Sequence, residues 1–291
     1  MEFINDLNDF KIYSAANHTL YEDTYRYKYA LPFERVDDPK GLTVNIFQRY
    51  WYHSITISIL YFATIKAIQR MMENRKPFTL RTALILWNGA LAIFSILGFL
   101  RFSEDFFQSL YKHGFYQSVC YSCHPSDVAA FWSLLFAISK IVELGDTLFI
   151  VLRKKPLIFL HYYHHAAVLI YTVHSGAEHA APGRAFITMN YFAHSAMYTY
   201  YTLSAYGIRM PKWVSMCVTT IQTAQMMAGV AVSYIVYNYK TQTLLPCQQS
   251  MVNLYLAFII YITFGILFLH FFYRAYLAKP KKQKAEKSKT Q

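Results

Sequence analysis

Apolar residues in this chain come in long blocks, with most of the charged ones sorted between them. Predominantly apolar stretches run at about 50–69, 82–101, 128–150, 157–174, 184–206, 213–237 and 250–273. Each is close to the length at which an α-helix crosses a hydrocarbon core of about 30 Å. In lipid, only helices and closed barrels satisfy every backbone N–H and C=O. The pattern therefore predicts an all-α polytopic membrane protein with seven transmembrane helices. They form one domain over 46–277, preceded by a segment 1–45 and followed by a lysine-rich tail 278–291.

Four of the blocks interrupt their apolar pattern with polar residues in helical register. Span four carries His161, His164 and His165 at i, i+3, i+4 within LIFLHYYHHAAVLIY. On a helix these three imidazoles fall within an arc of roughly 100°. Span three carries Lys140, Glu143, Asp146 and Thr147, within about a third of the circumference. In span five Asn190, His194, Met197 and Tyr201 form a stripe, with Tyr198 at its edge. Span six adds Thr219, Gln222 and Gln225 at three-residue spacing.

A purely structural role is open to each group. The charged residues could be ion pairs holding helices together, and the Thr/Gln row could be interhelical hydrogen bonds. Yet ionisable side chains at membrane depth are costly and face a bundle interior or a wet cavity. Four polar faces on successive spans predict one shared chamber. Spans three and four are joined by a very short connector and should be antiparallel neighbours. The charges of span three are thus expected to pair with each other and with the histidines of span four.

The formal net charge is +12, which in a soluble protein would raise nucleic acid as a partner. Here Lys and Arg sit in connectors and in the tail, so nucleic-acid binding is not expected. Their distribution sets orientation instead. Arg70, Arg75, Lys76 and Arg81 lie between spans one and two, and Arg153, Lys154 and Lys155 between three and four. Arg209 and Lys212 lie between five and six, on the same side as the tail lysines, whereas the opposite loops hold Lys112, Arg184 and Lys240. The positive-inside rule then places the C-terminus in the cytosol and the N-terminus in the lumen. Residues 1–45 are polar and mixed in charge and predict no cleavable signal peptide. Asn17-His18-Thr19 is a glycosylation acceptor on the lumenal side.

The loop 103–127 and the turn 239–248 share that side and hold Cys120, Cys123 and Cys247. In an oxidising lumen, a structural disulfide from Cys247 to Cys120 or Cys123 is expected. Cys217 stands alone near the cytosolic end of span six. No thiol is therefore well placed as a nucleophile, which leaves histidine. Clustered membrane histidines suit either a metal or acyl transfer. Di-iron desaturases and hydroxylases use about eight histidines in several boxes; this chain has one HxxHH box, and no metal is expected. A lipid transporter would also place ionisable groups at mid-membrane, but the chain lacks a pair of Gly- or Pro-broken spans. The di-iron enzyme and the transporter remain the alternatives.

The four polar groups together carry a resemblance. Lys140-x-x-Glu143-x-x-Asp146-Thr147, His161-x-x-His164-His165, His194-x-x-Met197-Tyr198-x-Tyr200-Tyr201 and Thr219-x-x-Gln222-x-x-Gln225 resemble the signature boxes of the very-long-chain fatty acid elongases. This is the ELO family of 3-ketoacyl-CoA synthases, and the boxes stand in the family's order. The flanking text is similar to the subfamily acting on saturated and monounsaturated long-chain acyl-CoAs, with Tyr162 where that subfamily often has Trp. The resemblance implies an endoplasmic reticulum enzyme whose spans two to seven form a barrel around a substrate tunnel. It implies condensation of acyl-CoA with malonyl-CoA to 3-oxoacyl-CoA, carbon dioxide and CoA, with no cofactor and no use of NADPH.

Carried onto this chain, the resemblance makes His164 the acyl acceptor and His194 its partner. His161 and His165 would orient them, and Lys140, Glu143 and Asp146 would set their charge state. Asn190, Tyr198, Tyr201, Gln222 and Gln225 would contact substrate, while Lys212 and Arg274 would hold the CoA phosphates. Membrane lipids and the ketoacyl reductase, dehydratase and enoyl reductase of the cycle are the implied partners, with a homo-oligomer left open. The end Lys287-Ser288-Lys289-Thr290-Gln291 resembles a dilysine-type retrieval signal.

Overall fold

Helix is the regular element of this computed structural model, which describes residues 7–10, 12, 13, 25–243 and 245–278; these contain no β-strand. Every apolar block is helical: α1 (His53–Met72), α2 (Arg81–Cys120), α3 (Val128–Val142) with α4 (Asp146–Leu152), α5 (Phe159–Glu178), α6 (Gly183–Tyr206), α7 (Lys212–Gln242) and α8 (Met251–Phe272). Two helices, Arg81–Cys120 and Met251–Leu277, are long and apolar enough to cross a membrane by length and composition. Asn17 and the tail from residue 279 onward lie outside the described residues.

Local chemistry sets the helix ends. The Asp127 carboxylate accepts from Val128 N (2.9 Å) at the start of α3, as an N-cap residue does. The Ser250 hydroxyl accepts from Asn253 N (3.0 Å) at the start of α8. Both α4 and α5 end against a left-handed residue, Lys154 (φ 53°) and His179 (φ 51°). The stretch 103–120, expected as loop, is helix. It continues α2 beyond its apolar block, with a kink at Gly114, whose φ is 79°. Ser103, Asp105 and Ser109 are buried there, so this part of α2 is amphipathic, and its polar face lies inward.

The helices touch in a closed cycle: α2 on α6, α6 on α7, α7 on α8, α8 on α5, α5 on α3, and α3 back on α2. The first helix, α1, packs from outside on α4 and α5. Small residues allow close approach. A Cβ at Gly98 would lie 2.3 Å from the Tyr191 ring, and one at Gly229 would lie 2.2 Å from the Tyr261 ring. Membrane helices use small residues in this way because packing, not water exclusion, holds them together.

One end of the bundle carries the Cys120–Cys247 disulfide, which ties the end of α2 to the connector between α7 and α8. Cys123 is a free thiol, so of the two expected partners it is Cys120 that pairs. Burial pushes the Cys123 thiol up to about 12. At the same end Arg184 is buried and donates to Asp105 Oδ2 (2.8 Å) and Ser109 Oγ (3.1 Å). Glu34, from the segment before α1, accepts from Arg101 at 2.6 Å and 2.9 Å and from Trp132 Nε1 at 2.8 Å. These bonds hold the Glu34 carboxyl down at about 2. The opposite end of the bundle is basic, with Arg81, Arg153, Lys154 and Lys155.

Candidate active site

The polar residues of span three sit where its helix changes pitch. A single 3₁₀ turn, Glu143–Gly145, separates α3 from α4. Such a turn within a helix marks strain or function, and here it aims two groups in two directions. Above it, Lys140 Nζ donates to Glu143 Oε1 (2.8 Å) and Oε2 (3.1 Å) and to Asn190 Oδ1 (2.9 Å). Ser139 Oγ adds a bond to Glu143 Oε1 at 2.9 Å. Below the turn, Asp146 accepts from Trp87 Nε1 (2.6 Å) and Tyr198 OH (2.7 Å). Gly145 makes room for the indole, since a Cβ there would stand 2.7 Å from Trp87 Cζ2.

Lys140 and Glu143 pair with each other as expected, but the carboxylates look to α6 rather than to the span-four histidines. Glu143 Oε2 lies 3.6 Å from His194 Nδ1 on α6, and Asp146 bonds Tyr198 of the same helix. Of the span-three group, Thr147 bonds the histidine helix: its Oγ1 is 2.9 Å from His161 Nε2 and 2.6 Å from Tyr61 OH. The charged face is directed across the bundle to α6, because the 3₁₀ turn rotates it away from the adjacent α5. At 3.6 Å the Glu143–His194 contact is longer than a hydrogen bond, and it is an ion pair only where the imidazole is protonated. It orients the ring by field.

The three histidines of α5 share one face as the spacing requires. The His161 and His165 rings lie 4.5 Å apart, and those of His164 and His165 lie 5.7 Å apart. His164 packs on Phe264 at 4.6 Å. Its Nδ1 is buried with no hydrogen-bond partner among the described residues. A buried polar atom left unpaired costs roughly 1–3 kcal/mol.

All four polar faces meet one cavity of about 740 Å³. Its wall includes Asp146 from α4; His161, His164 and His165 from α5; Asn190, His194, Tyr198 and Tyr201 from α6; and Gln222 and Gln225 from α7. Gln222 Nε2 lies 3.0 Å from Met197 Sδ. Lys140 and Glu143 stand behind Asn190 and His194. At the basic end the wall is Arg81, Arg153 and Lys155 with Phe78 and Phe271. A second cavity of about 170 Å³ runs toward the disulfide end, lined by Leu134, Phe136, Thr172, Phe186 and Tyr261 among others. His164, Asn190, Gln225 and Met226 belong to both walls, so the two cavities abut at His164.

The lining of neither cavity includes Lys212 or Arg274, the residues expected to hold CoA phosphates. The basic residues that do line the larger cavity are Arg81, Arg153 and Lys155. In the sequence they read as an orientation signal, and in the structure Arg153 and Lys155 line the same cavity as His161. Trp87 and Tyr61 carried no signal, since an aromatic in an apolar block is indistinguishable from core. Among the described residues, no three of His, Cys, Asp and Glu are arranged to hold a metal ion.

The model of the ELO: GNS1/SUR4 family matches residues 46–284. The chain is 67% identical over 282 residues to the Caenorhabditis elegans protein named "Putative fatty acid elongase 4", covering 97% of this chain and 96% of that one. It is 42% identical over 243 residues to human "Very long chain fatty acid elongase 3", covering 83% and 89%. Mouse "Very long chain fatty acid elongase 6" is 42% identical over 236 residues, covering 81% and 88%.

Proposed function

This chain belongs to the ELO: GNS1/SUR4 family, and from that premise we propose that it is a very-long-chain 3-oxoacyl-CoA synthase acting in two steps through His164. The observation that carries the reading is the unpaired, buried Nδ1 of His164, which lies between a basic-mouthed cavity and an apolar one. Acyl-CoA enters with its phosphates against Arg81, Arg153 and Lys155 and its hydrocarbon chain in the far cavity. A His164 ring nitrogen adds to the thioester carbonyl, and the C–S bond breaks. The proton leaving the ring goes to the thiolate, releasing free CoA. Splitting the condensation in this way replaces one difficult step by two easier ones.

In the second step malonyl-CoA takes the vacated mouth. Its carboxylate leaves as carbon dioxide, and the enolate carbon so formed attacks the acyl carbonyl. The C–N bond to His164 breaks, 3-oxoacyl-CoA departs, and the imidazole recovers a proton from solvent. His194, held by Glu143, faces the enolate, while His161 is fixed through Thr147 and Tyr61. The aromatic wall excludes water from the acyl-imidazole. Relatives named as elongases do not favour the hydroxylase or transporter alternatives.

The same reading covers architecture. Seven spans cross the endoplasmic reticulum membrane, and the cycle of α2, α6, α7, α8, α5 and α3 is the barrel around the tunnel. The basic end lies in the cytosol and the disulfide end in the lumen. Membrane lipids and the later enzymes of the cycle are the partners. No resident metal takes part, so chelators leave the rate unchanged.

The test uses purified full-length protein. Acyl-CoA alone should release close to one CoA per enzyme and leave an acyl mass on His164; malonyl-CoA should then discharge it as 3-oxoacyl-CoA. His164→Ala should abolish the burst, and His194→Ala should impair the second half-reaction at least as much as the first. CoA release only when both substrates are present would refute the two-step scheme.

A further inference from the structure

The far cavity ends beneath a piece of chain that precedes the first long helix. Val36, Pro39, Leu42, Thr43 and Phe47 all line it. This segment is fastened to the last turn of α5 at three points. Thr43 Oγ1 lies 2.7 Å from His179 Nε2, and Gln48 Nε2 donates to Ala177 O at 3.1 Å. The Phe47 ring seats on Gly176, where an added Cβ would come within 3.3 Å of Phe47 Cε1. Burial holds His179 down at about 4, so near neutral pH it is an uncharged partner for Thr43.

The floor and the walls of this cavity differ in kinship. His164, Asn190, Gln225 and Phe264 lie within the family-matched stretch, which begins at residue 46. Most of the floor, 36–45, thus lies before the family match, while Phe47 lies just inside it.

We propose that the segment Val36–Phe47 is the stop that sets the longest acyl chain the tunnel accepts, with Phe47, seated on Gly176, as the contact met by the methyl end. The proposal rests on the elongase reading above and assigns its length limit to particular residues. A close-packed wall does not yield to an extra methylene without strain. Once the chain attached at His164 reaches Phe47, a further two-carbon unit has no space. The limit is then a property of residues remote from the chemistry, and it should shift without altering the reaction.

The experiment measures product lengths by mass spectrometry for purified full-length protein given labelled malonyl-CoA and saturated acyl-CoAs of increasing length. Phe47→Ala should extend the longest accepted chain by about one two-carbon unit while shorter acyl-CoAs turn over as before. Phe47→Leu serves if the alanine variant does not fold. Gly183 lines the same cavity, and a Cβ there meets no heavy atom within 4 Å, so Gly183→Leu should fold and shorten the limit by a similar step. An unchanged limit in the folded Phe47 and Gly183 variants, with short-chain turnover intact, would overturn the stop. Absence of 3-oxoacyl product from the unmodified protein at every chain length would instead overturn the elongase reading, and the stop with it.

Discussion

Lys140 and Glu143 form a buried ion pair, Nζ to Oε1 at 2.8 Å, with the two side chains 3% and 5% exposed. Neither lines either of the two cavities; the pair stands behind Asn190 and His194, bonded to the first and 3.6 Å from the second. Removing one partner of such a pair leaves an uncompensated buried charge, at a cost of about 3–5 kcal/mol, whereas replacing both by apolar residues can be near neutral. Lys140→Met alone should therefore lower the unfolding temperature of the purified protein sharply, and Lys140→Met with Glu143→Leu should restore much of it. Condensation should not return in the double variant, because His194 loses the carboxylate that orients it. A fully active double variant would show the pair to be structural only.

Asp146 depends on two donors on two helices, Trp87 and Tyr198. Tyr198→Phe removes one hydrogen bond to the buried carboxyl of Asp146 and should cost about 1–3 kcal/mol. Asp146→Asn turns an amide N–H toward one of the same donors and should cost a similar amount. Because the two changes strike one interaction, their combination should cost less than their sum. Thermal unfolding of the three variants measures this, and strict additivity would deny the coupling.

The disulfide and the neighbouring thiol should behave oppositely. Peptide mapping without reductant should find Cys120 linked to Cys247, and Cys247→Ser should lose roughly 2–5 kcal/mol of stability. Cys123, its thiol pushed up to about 12 by burial, should resist alkylation at neutral pH, since the thiolate is the nucleophile. It should react once the protein is denatured.

Acid should loosen the segment before α1 through Glu34. Its hydrogen bonds to Arg101 are the main cause that takes the carboxyl from the usual 4.5 to about 2. A carboxylate with a lowered folded value stabilises fully above its unfolded value, and that contribution is lost as pH falls from about 4.5 through about 2. Glu34→Gln should flatten this part of the acid-unfolding curve, read from Trp132 fluorescence. A curve unchanged by the substitution would place the acid sensitivity elsewhere.

Orientation can be read from Asn17. A lumenal N-terminus should yield a glycosylated protein in a eukaryotic host, with a mobility shift lost in Asn17→Gln. Protease protection that finds the N-terminus cytosolic would reverse the assignment of both bundle ends.

The helices were legible because lipid makes block length nearly sufficient: all seven apolar blocks are helical in the structure. Residues 103–120 were not legible as helix, since the length rule applies to apolar blocks and this stretch buries serines and an aspartate. The site was legible at the level of faces. His161, His164, His165, Asn190, His194 and Gln225 meet at one cavity as their spacings required. Pairing across the bundle was not legible, because it depends on a single 3₁₀ turn that rotates Glu143 toward α6. Nor could the sequence rank basic residues at the mouth, where Arg153 and Lys155 reach the cavity and Lys212 and Arg274 do not.

That the two cavities abut at His164 has an electrical consequence. A membrane protein that admits solvent from one face as far as its middle comes close to being a pore. What opposes conduction here is the opposite half, where the cavity is small, about 170 Å³, and where Arg184 of its lining is bonded to buried Asp105 at 2.8 Å. A fixed pair of opposite charges offers a passing ion no net attraction and surrenders no proton readily. The same closure that gives a lipid chain its dry berth lets the protein sit in a membrane without discharging the ion gradients across it.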